Sequence, residues 1–385
     1  MSQSGDFIFE VALLWFVLEL TGSAFDVALI LTGTILPGVV LGPFLGVYVD
    51  RWNRRRTLIV TNVIEGVVVA GLSGLLLAGA INLAGLFAIV LVLGAGSTTV
   101  RVATNAYVPS VVAPEDLPPA NGLLSVSSSM NQIVALSLGG LFVALLGVTL
   151  PIEYDALSFF AAAALLFTIS DGSAAPAPPA DGAANFRREF AEGLSFIREH
   201  RFMVEIIVIG IVVNFFGNGL FAIFAPYAAY VLHQGAAAYG FLGAFVAAGA
   251  ILGAAAIGRV DTHRTAGRYL FGGGLSVGVV VLALAWATTL PAAFALMLAL
   301  GITLSVTNVP LQVVLQAKVP GRLLGRVGAA FMALVMGTSP AGPIFAGWLA
   351  EKWSVSGVFL VSGIVFVVVI GVGALTMPAL RNVEY

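Results

Sequence analysis

Cysteine is absent from the 385 residues, which excludes disulfides, thiolate nucleophiles and Cys-based metal sites. Histidine occurs three times, at His200, His233 and His263, and none belongs to an HExxH pattern. P-loops, GxSxG elbows and carboxylate-rich metal loops are missing too, so the sequence implies neither cofactor nor metal and no enzymatic activity. Charge is equally scarce. Asp, Glu, Lys and Arg make up 9% of the chain, against about 25% in an average soluble domain. A water-exposed surface cannot be built from so few charges. The net charge of −2 gives no sign of a nucleic-acid partner. What is present is apolar: 59% hydrophobic residues, 45 glycines and a mean hydropathy of +1.05. The composition is that of an integral membrane protein, and transport is the function class it leaves open.

An α-helical span needs about 20 mostly apolar residues. Twelve such runs occur, near 3–20, 27–49, 57–80, 84–108, 120–148, 152–169, 203–231, 238–258, 269–287, 291–317, 327–350 and 356–377. Runs such as Val355–Leu375 are continuous, which argues against the alternating segments of a β-barrel. With the N-terminus inside, 15 of the 17 basic residues fall in the cytoplasmic connections or the tail. The positive-inside rule therefore predicts that both termini are cytoplasmic.

Asp171–Asn185 is rich in Ala, Pro and Gly, a flexible linker composition. In Phe186–His200 the residues Phe186, Phe190, Leu194 and Ile197 recur at helical spacing opposite Arg187, Arg188, Glu192 and Glu199. This predicts an amphipathic helix on the cytoplasmic membrane face. The expected domains are thus a six-span bundle over 1–170, a linker over 171–201 and a second six-span bundle over 202–385. The halves repeat weakly: Leu20-Thr21-Gly22-Ser23 corresponds to Leu232-His233-Gln234-Gly235, and Asp50 to Asp261. Two pseudo-symmetric six-helix bundles of an all-α membrane protein, with a site at their interface, form a known transporter plan.

After the second span, Gly46-Val47-Tyr48-Val49-Asp50-Arg51-Trp52-Asn53-Arg54-Arg55-Arg56 resembles the signature loop of the major facilitator superfamily. Asn53 stands where Gly is usual and tolerates the left-handed turn expected there. Further segments resemble the branch that contains macrolide efflux pumps and the enterobactin exporter. They are Asn105-Ala106 with Pro109, Ala120-Asn121, Asp155-Ala156-Leu157-Ser158-Phe159, Glu192-Gly193-Leu194-Ser195-Phe196-Ile197-Arg198, and Val319-Pro320 with Gly325-Arg326-Val327. The resemblance implies a twelve-helix, alternating-access exporter in a bacterial cytoplasmic membrane. Asn62 and Glu65 depart from it, standing where this branch often has Asp and Arg. The resemblance also leads one to expect a basic segment before the first span, whereas here Gly5-Asp6 comes almost at once.

Asp6 and Glu10 lie at i, i+4 in the first span, and intramembrane carboxylates are functional candidates by default. They are the expected proton-coupling pair, unless their place so near the N-terminus simply leaves them wet. Asn308, Gln312 and Gln316 form an amide stripe in span ten; Asn214 and Asn218 do so in span seven, and span five carries Gln132. Amides facing lipid would go unsatisfied, so these either line a cavity or bond one helix to another. The resemblance implies the cavity, since spans one, four, seven and ten line it in the family. Phe215, Phe216, Phe221 and Trp15 are candidate walls or ordinary packing. Arg101, a further cavity candidate, is the one intramembrane cation; it calls for an anionic partner, Glu65 or a span-one carboxylate, and serves either a structural ion pair or a gating or substrate role. Gly46, Asp50, Arg51, Arg54, Arg55 and Arg326 are the expected conformational gate. There Asp50 can accept hydrogen bonds from Arg54 or Arg55, and the resemblance implies that it faces the start of span eleven; otherwise the arginines only fix topology and Asp50 is a solvated turn residue. Gly38-x3-Gly42 and Gly249-x3-Gly253 are expected to form sliding contacts with the opposite half.

Together these features predict secondary active, proton-coupled efflux of an amphipathic small molecule such as a drug or siderophore-like compound. The partners are substrate, protons and the lipid bilayer, and a monomer suffices. Lipid or lysolipid flipping, or export of another metabolite, is the alternative on the same fold.

Overall fold

The computed structural model describes residues 2–49, 52–168, 182–260 and 265–381, and no strand occurs among them. The chain runs through α1 (Ser2–Thr21), α2 (Ala24–Val49), α3 (Arg54–Leu77), α4 (Leu83–Val111), α5 (Leu117–Leu146) and α6 (Thr149–Thr168). After α7 (Gly182–Glu199) come α8 (Arg201–Ala222), the short turn α9 (Phe224–Pro226), α10 (Ala236–Ile257), α11 (Ala266–Leu284) and α12 (Leu290–Lys318). The chain then continues through α13 (Leu324–Met336), α14 (Ala341–Lys352), α15 (Val355–Thr376) and α16 (Pro378–Arg381).

Among the described residues, ten helical stretches are long and apolar enough to cross a membrane, α13 and α14 counting as one. The other two runs expected from sequence fall on α1, which carries Asp6, Glu10 and Glu19, and on α5, whose apolar part is Met130–Leu146. Apolar runs of this length become helices because only intrahelical bonds satisfy the backbone in lipid. Side chains start several of them: Asn53 Oδ1 accepts from Arg56 N at 2.8 Å, Asn82 Oδ1 from Gly85 N at 2.8 Å, and Ser354 Oγ from Gly357 N at 2.9 Å. Asn53 is extended, with φ −67° and ψ 108°. It serves as an N-cap, not as the left-handed turn expected from sequence. Proline interrupts two spans. Pro226 precedes a π-turn over Tyr227–Val231, and Pro340 lies in the break between α13 and α14.

The chain forms two compact units, Met1–Gly182 with Gln234–Phe241, and Ala183–His233 with Leu242–Tyr385. In the first, α1 packs on α5 and α6, and α3 on α4 and α6. In the second, α8 packs on α14 and α15, and α11 on α12 and α15, which is the same pairing one repeat later. The repeat extends to the backbone. Gly22 (φ 65°) ends α1 and His233 (φ 53°) ends the α8 span, both left-handed. His233 adopts this conformation although it bears a Cβ.

Two expectations are corrected. Gly38 and Gly42 face Thr98 of α4, while Gly249 and Gly253 face Leu298 and Ile302 of α12. A Cβ on Gly253 would stand 2.5 Å from Ile302 O. These glycines thus bring helices together inside one unit, since each small-residue stripe follows the ridge of its own neighbour. The apolar face of α7 is likewise covered by protein, not membrane. Phe196 and Ile197 are buried among Met203, Val319, Val327 and Ala330 of the second unit.

Candidate functional site

The first unit encloses an acidic hollow of about 160 Å³ lined by Asp6, Glu10 and Asp155, with Thr34, Ser97 and apolar side chains. Asp6 and Glu10 reach it because i, i+4 residues share a helix face. Asp155 comes from α6 and is 1% exposed; its Oδ1 accepts from Ser158 Oγ at 3.3 Å. Gly5 makes this convergence possible. A Cβ there would run into Asp155 Oδ1 and Ser158 Oγ. Close by, Glu65 of α3 is also 1% exposed and lies within electrostatic range of Asp6 and Asp155. Its Oε1 accepts from Ser97 Oγ at 3.1 Å, whereas its Oε2 has no hydrogen-bond partner among the described residues. Burying an unpaired carboxylate oxygen is costly, and so is gathering carboxyl groups inside a membrane-spanning bundle.

The second unit holds a larger hollow of about 390 Å³, within the size range of small-molecule sites. It follows α8 from Ile206 to Phe221, about 22 Å of helix, and is walled by α11, α12, α13 and α15. Leu380 of α16 lies at the Ile206 end. Glu205 holds that short helix in place. Its Oε2 accepts the Leu380 N–H at 2.8 Å, and its Oε1 accepts from Arg201 Nε at 2.9 Å. Asn214, Asn218, Thr307 and Asn308 supply the polar lining, and Phe221, Phe271, Phe331 and Phe366 the aromatic part.

Of the residues singled out from sequence, Asn214, Asn218 and Asn308 meet on this cavity. Gln312 does not line it. Each four-residue step overshoots a full helical turn by about 40°, so the stripe leaves the face that Asn308 occupies. Gln132 is exposed on α5 and lines neither hollow. Arg101 is exposed on α4 and makes no ion pair among the described residues. Glu65, one of its expected partners, is turned instead to the Gly96-Ser97 face, where a Cβ on Gly96 would stand 2.6 Å from Glu65 Oε1.

Asp50 and Arg51, two of the gate residues, lie outside the described residues. Gly46 is in the last turn of α2, and Arg54 opens α3. Arg55 donates to Leu166 O and Phe167 O, both at 2.8 Å, and so neutralises the carbonyl end of α6. Arg326 belongs to the second unit and joins α13 to α7. It donates to Glu192 Oε2 and, at 3.2 Å, to Glu189 Oε1.

Sequence reasoning treated Glu65 only as a partner for Arg101 and Asp155 only as part of a family motif. Their signal was a carboxylate within an apolar run, the same that singled out Asp6. Glu205 carries the same signal in the seventh run, whereas Thr307, Phe331 and Phe366 gave none.

An all-helical chain with ten membrane-length apolar stretches among its described residues, folded as two like-paired units with a hollow in each, is a membrane transporter of the major facilitator type. Residues 1–384 match the family model described as transmembrane secretion effector, and the chain belongs to that family. It is 26% identical to the multidrug efflux pump Tap of Mycobacterium tuberculosis, across all of this chain and 92% of Tap. Macrolide efflux protein A of Streptococcus pyogenes is 24% identical over 53% of this chain and 50% of its own length. Among solved structures, a bacterial homologue of the human lysosomal transporter Spinster has a TM-score of 0.75 at 14% identity. That match covers all of this chain and 96% of the homologue. The protein is a membrane transporter, and not an enzyme.

Proposed function

We propose that this chain is an efflux pump of the bacterial cytoplasmic membrane that exchanges protons for an amphipathic small molecule. The observation that carries this reading is the chemical contrast between the two hollows. One gathers carboxylates and hydroxyls; the other is apolar with a few amides. Asp6 and Glu10 carry the proton, with Asp155 and Glu65 as the neighbouring carboxyl groups. The second hollow carries substrate. The names of the relatives, multidrug and macrolide efflux proteins, support export as the direction. Both termini are cytoplasmic by the distribution of basic residues, and the protein works as a monomer. Transport proceeds by alternating access, and Asp50, its neighbouring arginines, Gly46 and Arg326 are the proposed conformational gate.

Counterflow and gradient-driven uptake in proteoliposomes test this. With an acidic lumen, protein oriented inside-out should accumulate members of a panel of macrolides, dyes, siderophores and lysolipids. Nigericin should abolish the accumulation, and Asp6→Asn or Glu10→Gln should uncouple it. Accumulation that is indifferent to the gradient and to both substitutions would remove proton coupling. Activity confined to lysolipids would select the flippase.

A further inference from the structure

The cavity of the second unit contains no ionisable side chain among its 22 lining residues. The charged residues of the surrounding helices lie elsewhere or are already engaged. Glu205, next to the lining residue Ile206, gives one oxygen to the Leu380 N–H and the other to Arg201. Arg326 is held by Glu189 and Glu192. Arg268 and Lys318, near the ends of α11 and α12, do not reach the lining. A charged guest would leave water without gaining a counter-charge, the least favourable way to bury an ion.

The polar lining residues are not equivalent. Thr307 Oγ1 donates to Thr303 O of its own helix at 2.9 Å. Asn214 Oδ1 accepts from Ser339 Oγ at 2.6 Å, and its Nδ2 faces Met336 Sδ at 3.8 Å. Asn218 spends one N–H on Asn214 O at 2.8 Å, which leaves its Oδ1 and second N–H. The Asn308 amide has no hydrogen-bond partner among the described residues and is exposed to the hollow. An amide both donates and accepts, so these two side chains match hydroxyls, carbonyls and amides without demanding charge.

We propose that this cavity binds uncharged molecules that combine an aromatic or aliphatic body with hydrogen-bonding groups. Asn218 and Asn308 are its ligand contacts, and Asn214 is a positioning residue. The proposal rests on the reading of this hollow as the substrate site and adds its charge selectivity. It holds that selectivity against ions arises from missing counter-charge, not from size.

Equilibrium binding to the purified full-length protein in nanodiscs tests it, with tritiated chloramphenicol as the neutral probe and tritiated tetraphenylphosphonium as the cation. The wild type should bind the neutral probe at least tenfold more tightly. Asn308→Asp should reverse the order by adding the absent carboxylate; should it fail to fold, Asn218→Asp makes the same test. Equal binding, preference for the cation, or no binding of the neutral probe overturns the proposal. So does a folded Asn308→Asp protein with an unchanged preference. Gradient-driven transport of the cation with no neutral preference would leave the efflux reading standing and defeat this one. Neutral-selective binding without gradient-driven transport would do the reverse.

Discussion

Ser339 Oγ lies 2.6 Å from Asn214 Oδ1, bridging 125 positions of sequence. Ser339 is buried and sits in the break between α13 and α14, where the helical run stops before Pro340. The break turns this hydroxyl toward α8, where it meets the Asn214 amide oxygen besides its local contact with Met336 Sδ at 3.8 Å. Ser339→Ala should therefore leave Asn214 Oδ1 without its donor, at a cost of about 1–3 kcal/mol. Thermal unfolding would show the loss. Affinity for a neutral ligand should fall with it, whereas Ser339→Thr should restore both.

Glu65 offers a different signature. Its Oε2 is buried without a partner among the described residues, and replacing a poorly satisfied buried acid by an apolar group of similar size is often neutral or stabilising. Glu65→Leu is expected to unfold no earlier than the wild type yet to lose gradient-driven accumulation. Melting temperature and proteoliposome uptake, measured on one preparation, check both halves. A stable variant with full transport would confine Glu65 to packing.

The contact between Glu205 and Leu380 closes one end of the larger cavity. In Glu205→Ala the Leu380 N–H loses its acceptor, and α16, only four residues long, loses the bond that pins it. Hydrogen–deuterium exchange should accelerate over Pro378–Arg381, with little change over α15. Glu205→Gln, which keeps an acceptor oxygen, should lie between.

The docking of α7 separates charge from burial. The ion pairs of Arg326 are half-exposed, and such pairs contribute up to about 1 kcal/mol. Phe196 and Ile197 are buried, and each such side chain contributes about 1.5–3 kcal/mol. Phe196→Asp or Ile197→Asp should thus expose Arg188 to trypsin far more than Arg326→Ala does. Limited proteolysis read by mass spectrometry would rank them; the opposite ranking would make the ion pairs the main anchor.

The helices, their number and the residues worth suspecting were legible in the sequence, because lipid forces long apolar runs to satisfy their own backbone and makes every exception costly. Asp6 with Glu10 and Asn214 with Asn218 were legible as pairs, since four residues nearly complete a helical turn. Which faces meet was not. In helices apolar on all sides nothing in the pattern marks the buried face, and only packing rotates Glu65 toward Ser97 and away from Arg101. Packing likewise sets Gly253 against Ile302 of its own unit. The convergence of Asp155 and Glu65 near Asp6 depends on α1 meeting α6 and α3 meeting α4 and α6, contacts that span much of the first unit. Local sequence encodes the cost of a polar group in lipid; only the tertiary structure decides which neighbour relieves it.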